Sequence, residues 1–514
     1  MSAAGHDASS VMKSLHTPDT LRKYIKSIRK VGVLIKEADV VRLPSSSSPS
    51  EAGDTVDDVR LPSSPSPSEA GDTVAAVSPT SASSVDDSTN KRSYVSHAAE
   101  HESESVAVLK RRKAEIRNKK IHADFTQLND KLIKLGWYES TPSSYWAPLA
   151  RIFGFLSIGL YLVLDGQNRS DNMLLKWIEI GGGSILLGLF FQNTAFMGHD
   201  AGHGSVTGNF KMDFWFGLIV GNLLTGIDVG WWKSSHYVHH SATNAVHDDP
   251  DIQHMPLLCF DERMADSRWS TYHGRYMPFD DISAMIMPYQ HWYYYPIMAV
   301  ARVNLYIQSV IYLIKTCPFA NFGDAGESVI DERTGEVKEK YAWPKPSIFL
   351  WWACVVCLGF FWTGMYQLLS RLDVTSGVVC FALMHFTAGL LHVQILLSHV
   401  AMHYCADGSG SVGAISAPNG NDEAGYYEWQ ALSTMDIDCP TCMDWFHGGL
   451  QFQLEHHLFP RVPRWKLREL MPLTDEIFAK YDIPVVRVPF IEGNRMVLSH
   501  MATIGAAAAK LKRQ

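Results

Sequence analysis

Four long apolar segments most strongly restrict how this 514-residue chain can fold. They cover residues 146–164, 174–198, 347–369 and 376–402. Each is long enough to cross a bilayer as a helix, which takes roughly 20 residues. A short polar turn at 165–172 joins the first pair, and another at 370–375 joins the second pair. The sequence therefore predicts an all-α integral membrane protein with four transmembrane helices in two hairpins.

Two further apolar stretches, at 213–227 and 285–315, are shorter or interrupted by polar residues. They favour helices that lie at the membrane interface or re-enter from one side. The alternative for all these segments is a set of buried helices in a large soluble enzyme. Charge placement argues against it, because basic clusters precede the first span and follow the fourth, while the two turns carry one arginine each. This distribution predicts that both ends of the four-helix unit face the cytosol.

The rest of the chain divides by composition. Residues 1–108 are polar and contain a tandem repeat, DVVRLPSSSSPSEAGDTV at 39–56 and DDVRLPSSPSPSEAGDTV at 57–74. The repeat has too few apolar residues to stack into a fold, so we expect a disordered low-complexity tail. We expect residues 109–140 to form a basic, helical, cytosolic lead-in, residues 141–490 the membrane domain, and residues 491–514 a C-terminal tail.

Composition also excludes some classes of function. A formal net charge of −8 gives no basic surface for nucleic acid. The eight cysteines are scattered through a large chain, which is not typical of a disulfide scaffold and fits a reducing compartment. The N-terminus lacks the residue order of a cleaved signal peptide.

Three clusters of histidine stand close to the ends of the apolar segments, in the words HDAGH, HYVHH and QLEHH. Their histidines, and the glutamine that opens the third word, are in chain order His199, His203, His236, His239, His240, Gln453, His456 and His457. Residues four apart share one face of a helix. A single histidine is usually a packed or exposed ring, but three clusters at this spacing indicate metal ligands. Imidazole suits iron, zinc, copper and nickel, and a set so rich in nitrogen indicates one or more redox-active metals.

The predicted topology places all three clusters on one side of the membrane. Two crossings return the chain to the cytosolic side just before His199, and the segment 213–227 need not cross. Two more crossings return it there before His456. The sequence therefore predicts a histidine-rich cytosolic cap that gathers ligands from more than 200 residues of chain.

The three clusters resemble the histidine boxes of membrane-bound fatty acid and lipid desaturases. Longer words carry the resemblance further: HDAGHGSVTGNF (199–210), GWWKSSHYVHHSATN (230–244) and TMDIDCPTCMDWFHGGLQFQLEHHLFPRVPR (434–464). The glutamine that opens the third box is similar to that of front-end desaturases. Together these words look most like fungal Δ8 sphingolipid long-chain-base desaturases, over about residues 130–490.

The resemblance implies two iron ions, dioxygen as co-substrate, and a di-metal cap. The implied ligands are His199, His203, His236, His239, His240, His456 and His457, with Gln453 as a weaker ligand through its amide. An extra histidine from the fourth span completes such sites. We expect this to be His399, ahead of His403 and His392.

The resemblance also implies partners and a location. The substrate would be a membrane lipid, such as ceramide, glucosylceramide or an acyl chain, in the endoplasmic reticulum membrane. Both termini and the histidine boxes would face the cytosol. Related enzymes commonly carry a cytochrome b5 domain with a His-Pro-Gly-Gly haem motif, and this sequence has no such tetrapeptide. We therefore expect no fused haem, and electrons from a separate cytochrome b5 and its reductase.

Residues around the boxes have two interpretations each. Trp231, Trp232 and Trp445 would line an apolar groove for the substrate or anchor the chain at the interface. Asp200 and the aspartates of HDDPDIQH (247–254) would hold imidazole N–H groups, or instead cap helices and face solvent.

Three alternatives to a Δ8 sphingolipid desaturase stay open. The first is a front-end acyl-lipid or acyl-CoA desaturase, and the second is a related lipid hydroxylase. The third is a membrane metal-binding or transport protein without catalysis. Transporters place their ligands near the middle of the membrane, whereas the boxes here begin where the apolar segments end.

Overall fold

The structure is a computed structural model, and it describes residues 88–140, 142–320, 345–405 and 424–513, with a few positions between 329 and 343. Residues 1–87 of the predicted disordered tail lie outside the described residues. From Ser88 onward the chain is helical, so the end of that segment differs from the prediction. Of the described residues, those from 110 onward lie in one compact unit, and 88–109 lie in another.

The described chain is mostly helical, as predicted. They are α1 (Ser88–Lys134), α2 (Trp146–Asn168), α3 (Met173–His203), α4 (Phe210–Gly217), α5 (Val229–Ser241), α6 (Asp281–Ile286), α7 (Gln290–Lys315), α8 (Ile348–Leu369), α9 (Val374–Ala388), α10 (Leu390–Leu397), α11 (Tyr426–Ser433), α12 (Asp444–His447), α13 (Gln453–Leu458), α14 (Leu467–Lys480) and α15 (Phe490–Arg513). A π-helical segment, Leu218–Leu223, extends α4.

Short strands connect some of the helices. They are β1 (Arg268–Ser270), β2 (Arg275–Met277), β3 (Val329–Ile330), β4 (Val337–Lys338), β5 (Met435–Asp438) and β6 (Val486–Pro489). The first two form an antiparallel pair, as do the next two, whereas β5 and β6 pair in parallel. The parallel pair ties the segment that precedes the third histidine box to the C-terminal part of the chain.

Five helical stretches are long and apolar enough to cross a membrane. They are Ser143–Asn168, Met173–His203, Asp281–Lys315, Ile348–Leu369 and Val374–Leu397. Four of them coincide with the four predicted spans. The fifth, Asp281–Lys315, contains the segment that we expected at the interface, and it forms a longer apolar helix than the sequence indicated.

The first hairpin, α2 and α3, is held together by small residues and a helix cap. The Asn172 side chain accepts a hydrogen bond from the Leu175 amide at 3.0 Å and so starts α3. Gly159 and Gly183 let the two helices approach closely, since a Cβ on Gly183 would lie 2.7 Å from the Gly159 carbonyl oxygen. Small residues are typical where membrane helices pack.

The second hairpin consists of α8 and α9, and each of these helices also begins with a side-chain cap. Ser347 caps α8 and Asp373 caps α9, the latter by accepting from the Ser376 amide at 2.9 Å. Lys176 Nζ lies 2.9 Å from Asp373 Oδ2 and joins the turn ends of the two hairpins. These contacts place the polar turns of both hairpins at the same end of the helices.

The lead-in helix α1 packs directly on the segment that carries the third histidine box. Ile121, Phe125 and Leu132 are buried in one cluster with Leu454 and Leu458. The Arg117 side chain also pairs with the buried Glu428 carboxylate of α11. The predicted helical lead-in is therefore part of the cap that covers the box.

The C-terminal segment, predicted as a tail, forms most of α15. Val497, Met501 and Ala508 are buried on one face of this helix. Gln290 Nε2, at the start of α7, donates a hydrogen bond to the Met501 carbonyl oxygen at 2.8 Å. This apolar face packs against Met287 and the first turns of α7.

Candidate metal centre

The first histidine box forms the last turn of α3. His199 and His203 lie one turn apart, and Gly204, with a φ of 72°, ends the helix. The Trp232 ring packs against Gly202, where a Cβ would overlap it. The glycine between the two histidines therefore lets the second box approach the first.

The second box lies on α5, whose start is fixed by a side-chain cap. The Asp228 carboxylate accepts from the Trp231 amide at 2.9 Å. His236 and His240 share a face and are both buried, while His239 points in a different direction. The helix α5 therefore directs His236 and His240 to one side and His239 to another.

The third box forms the short helix α13, and the chain brings His399 to it from just beyond the end of α10. Gln453, His456 and His457 are all buried, as is His399. His403, the less favoured candidate, is exposed, and its Nδ1 lies 3.2 Å from the Leu432 carbonyl oxygen.

Five of these histidines gather in what we call the first histidine group: His199, His203, His236, His240 and His456. A nitrogen from each of His199, His203, His236 and His456 lies within 4.8 Å of the others. His240 Nε2 lies 2.9 Å from His236 Nε2 and 3.1 Å from His456 Nε2. All three boxes therefore contribute to one cluster of ring nitrogens.

The remaining residues form the second histidine group: His239, His399, His457 and Gln453. One nitrogen from each of the three histidines lies within 4.8 Å of the others. The Gln453 amide nitrogen lies 3.0 Å from His399 Nε2 and 3.1 Å from His457 Nε2. The structure thus brings His399 and Gln453 together with a histidine from each of the second and third boxes. His392 belongs to neither group.

The two groups are direct neighbours. The ring centroids of His240 and His457 are 4.2 Å apart and nearly parallel, although the two rings belong to different groups. The groups together can accommodate two metal ions in adjacent places.

Hydrogen bonds fix the orientation of all three histidines in the second group. His239 Nδ1 lies 3.0 Å from Asp249 Oδ2, and His399 Nδ1 lies 3.1 Å from the Ser433 carbonyl oxygen. His457 Nδ1 lies 2.9 Å from Gln430 Oε1. A proton on each Nδ1 leaves the Nε2 lone pair free to face the centre of the group, which is how metal-binding histidines are held.

Several polar atoms of the two groups have no hydrogen-bond partner although they are buried. They are Nε2 of His199, His203 and His239, and Oε1 of Gln453. Buried polar atoms without a partner are rare because their desolvation is costly. A metal ion in each group would satisfy these atoms, so the residues present fit two metal ions with imidazole ligands.

Burial and the nearby histidines disfavour the protonated, charged form of most of these rings. Burial lowers the pKa of His236, His240, His456 and His457 well below its ordinary value, and the neighbouring histidines lower it further. Neutral imidazole is the form that binds metal.

His239 differs from the other rings. Burial alone would lower the pKa of this ring, but the Asp249 and Asp251 carboxylates raise it to about 9. A metal ion there would displace a proton.

The predicted aspartates have different hydrogen-bond partners. Asp249, in HDDPDIQH, does hold the His239 ring, whereas Asp200 does not hold a histidine at hydrogen-bond distance. The Asp200 carboxylate instead accepts from the Tyr145 hydroxyl at 3.1 Å and pairs with Arg464 at 3.2 Å. Asp248 accepts from the Thr271 hydroxyl at 2.6 Å.

Of the predicted tryptophans, Trp232 is the one whose ring contacts the histidine groups. Its ring stacks on His236 at 4.4 Å and meets the edges of His199 and His203. Trp445 lies against Phe155 of α2 at 6.2 Å. Trp232 therefore forms a wall of the first histidine group.

Sequence reasoning missed Gln430 and Thr243. Gln430 Nε2 donates to the His240 carbonyl oxygen at 3.2 Å, which turns its Oε1 toward His457. The Thr243 hydroxyl donates to the His239 carbonyl oxygen at 2.8 Å. Neither residue stands in a recognisable motif, although Thr243 lies within the quoted stretch 230–244.

A sequence-family model for fatty acid desaturases matches residues 175–489, a range that includes both histidine groups. The chain belongs to the fatty acid desaturase family. The predicted family resemblance is therefore confirmed.

Curated desaturases of this family are similar to the chain over about three quarters of its length. A protein named Delta(8)-fatty-acid desaturase from Helianthus annuus is 34% identical over 392 residues, which are 76% of this chain and 75% of that protein. A Delta 8-(E)-sphingolipid desaturase from Komagataella phaffii is 34% identical over 384 residues, 74% of this chain and 62% of that protein. One from Emericella nidulans is 32% identical over 381 residues, with 74% and 62% covered.

The chain therefore spans less than two thirds of the length of these two fungal relatives. Its match to an acyl-lipid (9-3)-desaturase from Borago officinalis, at 31% identity, covers 74% of both chains. The relatives include proteins named for both sphingolipid and acyl substrates.

Proposed function

We propose that this desaturase-family chain is a membrane lipid desaturase that introduces a Δ8 double bond into the long-chain base of a sphingolipid. The observation that carries the proposal is the pair of adjacent, buried histidine groups at the ends of apolar helices. The similarity to the Δ8 sphingolipid desaturases supports the choice of substrate.

The proposed cofactors are two iron ions, one in each histidine group. When bound, they would supply the activation of dioxygen that removal of hydrogen from an unactivated methylene requires. The proposed ligands are the five histidines of the first group and the three of the second, with Gln453 as the weakest member.

The chain's own residues prepare the site for this chemistry. Asp249, Gln430 and the Ser433 carbonyl hold imidazole rings in one orientation, so the ligand atoms are fixed before metal arrives. Apart from His199, whose side chain is 18% exposed, the ligand rings are almost completely buried. This burial keeps bulk water from a reactive oxidant.

Positioning of the lipid is the second task of the chain. A flexible alkyl chain must present one carbon pair to the metals. Correct orientation of a reactant lowers the activation barrier by several kcal/mol. The apolar helices end next to the histidine groups, and Trp232 closes one side. We propose that the alkyl chain lies along this surface, with its polar end toward the cap.

The proposal includes partners and a location. Electrons would come from a separate cytochrome b5 and its reductase. The protein would lie in the endoplasmic reticulum membrane with its histidine groups on the cytosolic side, in accord with the distribution of basic residues.

Expression in a yeast strain that lacks Δ8-unsaturated sphingolipids tests the proposal. We expect long-chain bases that have lost two hydrogens and carry an alkene at Δ8, more of them when extra cytochrome b5 is supplied. The variants H456A and H457A, one from each group, should abolish the product. The matched control H403A changes an exposed histidine one turn from His399 and should retain it.

The same lipid analysis separates the alternatives. Unchanged sphingolipids beside a new polyunsaturated acyl chain would favour an acyl desaturase, which the Helianthus annuus and Borago officinalis relatives make the second candidate. Addition of one oxygen without loss of hydrogen would identify a hydroxylase. Metal binding with no lipid product in the presence of cytochrome b5 would contradict the proposal.

A further inference from the structure

A buried arginine stands in the middle of the apolar helix α7. Arg302 is 0% exposed and is among the largest fully buried side chains. Among the described residues, no hydrogen-bond partner is found for its NH1 nitrogen. An ionisable residue in such surroundings is costly, and it usually marks a functional position.

The guanidinium contacts the helix that ends in the first histidine box. Its central carbon lies 4.3 Å from the centroid of the Phe191 ring in α3. A cation over an aromatic face is favourable, more so when both are removed from water. Phe191 precedes His199 by about two helical turns. The guanidinium therefore contacts the helix that carries the first histidine box.

The same guanidinium contacts the segment that leads into the second box. Arg302 NH2 donates to the Thr225 carbonyl oxygen at 2.6 Å, where the chain leaves the π-helical segment. About two turns later in α7, the Ser309 hydroxyl accepts from the Asp228 amide at 2.9 Å. Asp228 caps α5, so α7 holds the start of the helix that carries His236, His239 and His240.

A third connection leads to the helices that precede His399. Arg302 Nε donates to the Tyr306 hydroxyl at 2.8 Å, and this oxygen lies 3.2 Å from His385 Nε2 in α9. His385 Nδ1 in turn donates to the Phe381 carbonyl oxygen at 2.8 Å. His385 is therefore held between its own helix and Tyr306, and α9 continues through α10 to His399.

We infer that Arg302 is a positioning residue that fixes the relative placement of the three elements carrying the metal ligands. It does not touch the ligands. A planar guanidinium has donors in fixed directions, so it can hold a carbonyl, a hydroxyl and an aromatic face at once, which a lysine cannot. The relative placement of these helices sets where the alkyl chain meets the metals, so this inference rests on the proposed function.

The experiment compares Arg302→Lys and Tyr306→Phe with matched controls. Arg371→Lys changes an exposed arginine in the turn after α8, which donates to the Gln367 carbonyl oxygen, and Tyr366→Phe changes an exposed tyrosine of α8. Each purified protein is loaded with cobalt(II), whose visible absorption spectrum reports ligand geometry without turnover. The position of the alkene in the lipid product is then measured by mass spectrometry, and thermal unfolding is followed in parallel.

We expect both test variants to change the cobalt spectrum and to give alkenes spread over neighbouring carbon positions, while the controls match the unchanged protein. Variants that unfold earlier but keep the cobalt spectrum and a single alkene position would overturn the inference. If the unchanged protein gives no alkene, the proposed function fails. The cobalt spectra of the two variants still decide the role of Arg302 in that case.

Discussion

At the scale of single residues, the metal centre depends on which ring nitrogen carries the proton. In the second histidine group, a carboxylate, an amide oxygen and a backbone carbonyl each take one Nδ1. These acceptors come from a loop and from α11, so their effect on metal affinity can be tested apart from the ligands themselves. Loss of such a partner usually lowers metal affinity by about 10- to 100-fold.

Replacing Gln430 by leucine should weaken the second group more than the first. The change keeps the size of the side chain but removes the acceptor of His457 Nδ1 and the donor to the His240 carbonyl. We expect metal affinity to fall about 10-fold or more, measured as bound metal against free metal in solution. The exposed Gln127 of α1 offers a matched control, Gln127→Leu, which should bind normally. Equal metal affinity of Gln430→Leu and Gln127→Leu would contradict this role of Gln430.

Gln453 gives a second test at this scale. Its amide lies within 3.1 Å of two imidazole nitrogens, so Gln453→His should place a stronger neutral ligand there. We expect metal to be retained and the reduction potential of the site to shift, as seen by redox titration. Gln453→Ala should lower the metal affinity, mainly that of the second group. An unchanged potential in Gln453→His would mean that the side chain stays outside the ligand set.

At the scale of elements, the approach of α3 to α5 depends on one residue without a side chain. Gly202 stands between His199 and His203, and the Trp232 ring occupies the space where a Cβ would be. Trp232 also stacks on His236, so any displacement of this ring changes the spacing between the first two boxes.

The variant Gly202→Ala should therefore separate the two helices and lower bound metal about 10-fold or more. Trimming the ring in Gly202→Ala/Trp232→Leu should restore part of the metal, because the overlap is gone. Gly154→Ala in α2 is the matched control, since a Cβ there meets nothing within 4 Å. Metal content measured per folded chain separates this effect from simple loss of protein. No rescue by the double variant would show that the overlap is not the cause.

At the scale of the whole molecule, the contacts between histidines restrict the number of membrane crossings. His240 of the second box contacts His456 of the third, so an even number of full crossings must separate them. Three apolar stretches lie between these residues in the chain: Asp281–Lys315, Ile348–Leu369 and Val374–Leu397. We therefore predict that α7 enters the membrane without crossing it, as the interrupted sequence of 285–315 indicated.

Glycosylation acceptors inserted into the loops test this topology. Long acceptor loops placed in the turn at 169–172 or the turn at 370–373 should be modified, since both turns lie at the far end of the hairpins. An acceptor after Pro318 should stay unmodified, because it would remain on the side of the histidines. Modification at that position, with the histidine groups still binding metal, would mean that α7 crosses.

Much of this molecule could be predicted from its sequence, for identifiable physical reasons. Helical spacing and hydropathy act locally, so the boxes, the four coincident spans and the lead-in helix were visible. His399 could be chosen because the family resemblance demanded a ligand near the end of the fourth span. Gln430, Ser433 and Arg302 act across long separations in sequence, and no local pattern marks them. The place of α15 depends on contacts with the distant start of α7, such as the bond from Gln290 to Met501.

The stacking of His240 on His457, together with the Gln430 amide that bonds to both residues, makes the two histidine groups mechanically dependent on each other. A metal ion bound in one group would hold this shared contact in place and so favour binding of a metal ion in the other group. Filling should accordingly be cooperative, with half-filled molecules scarce throughout a titration. In a cell short of iron, such a protein would be distributed between fully charged and empty copies, and activity would follow the charged fraction.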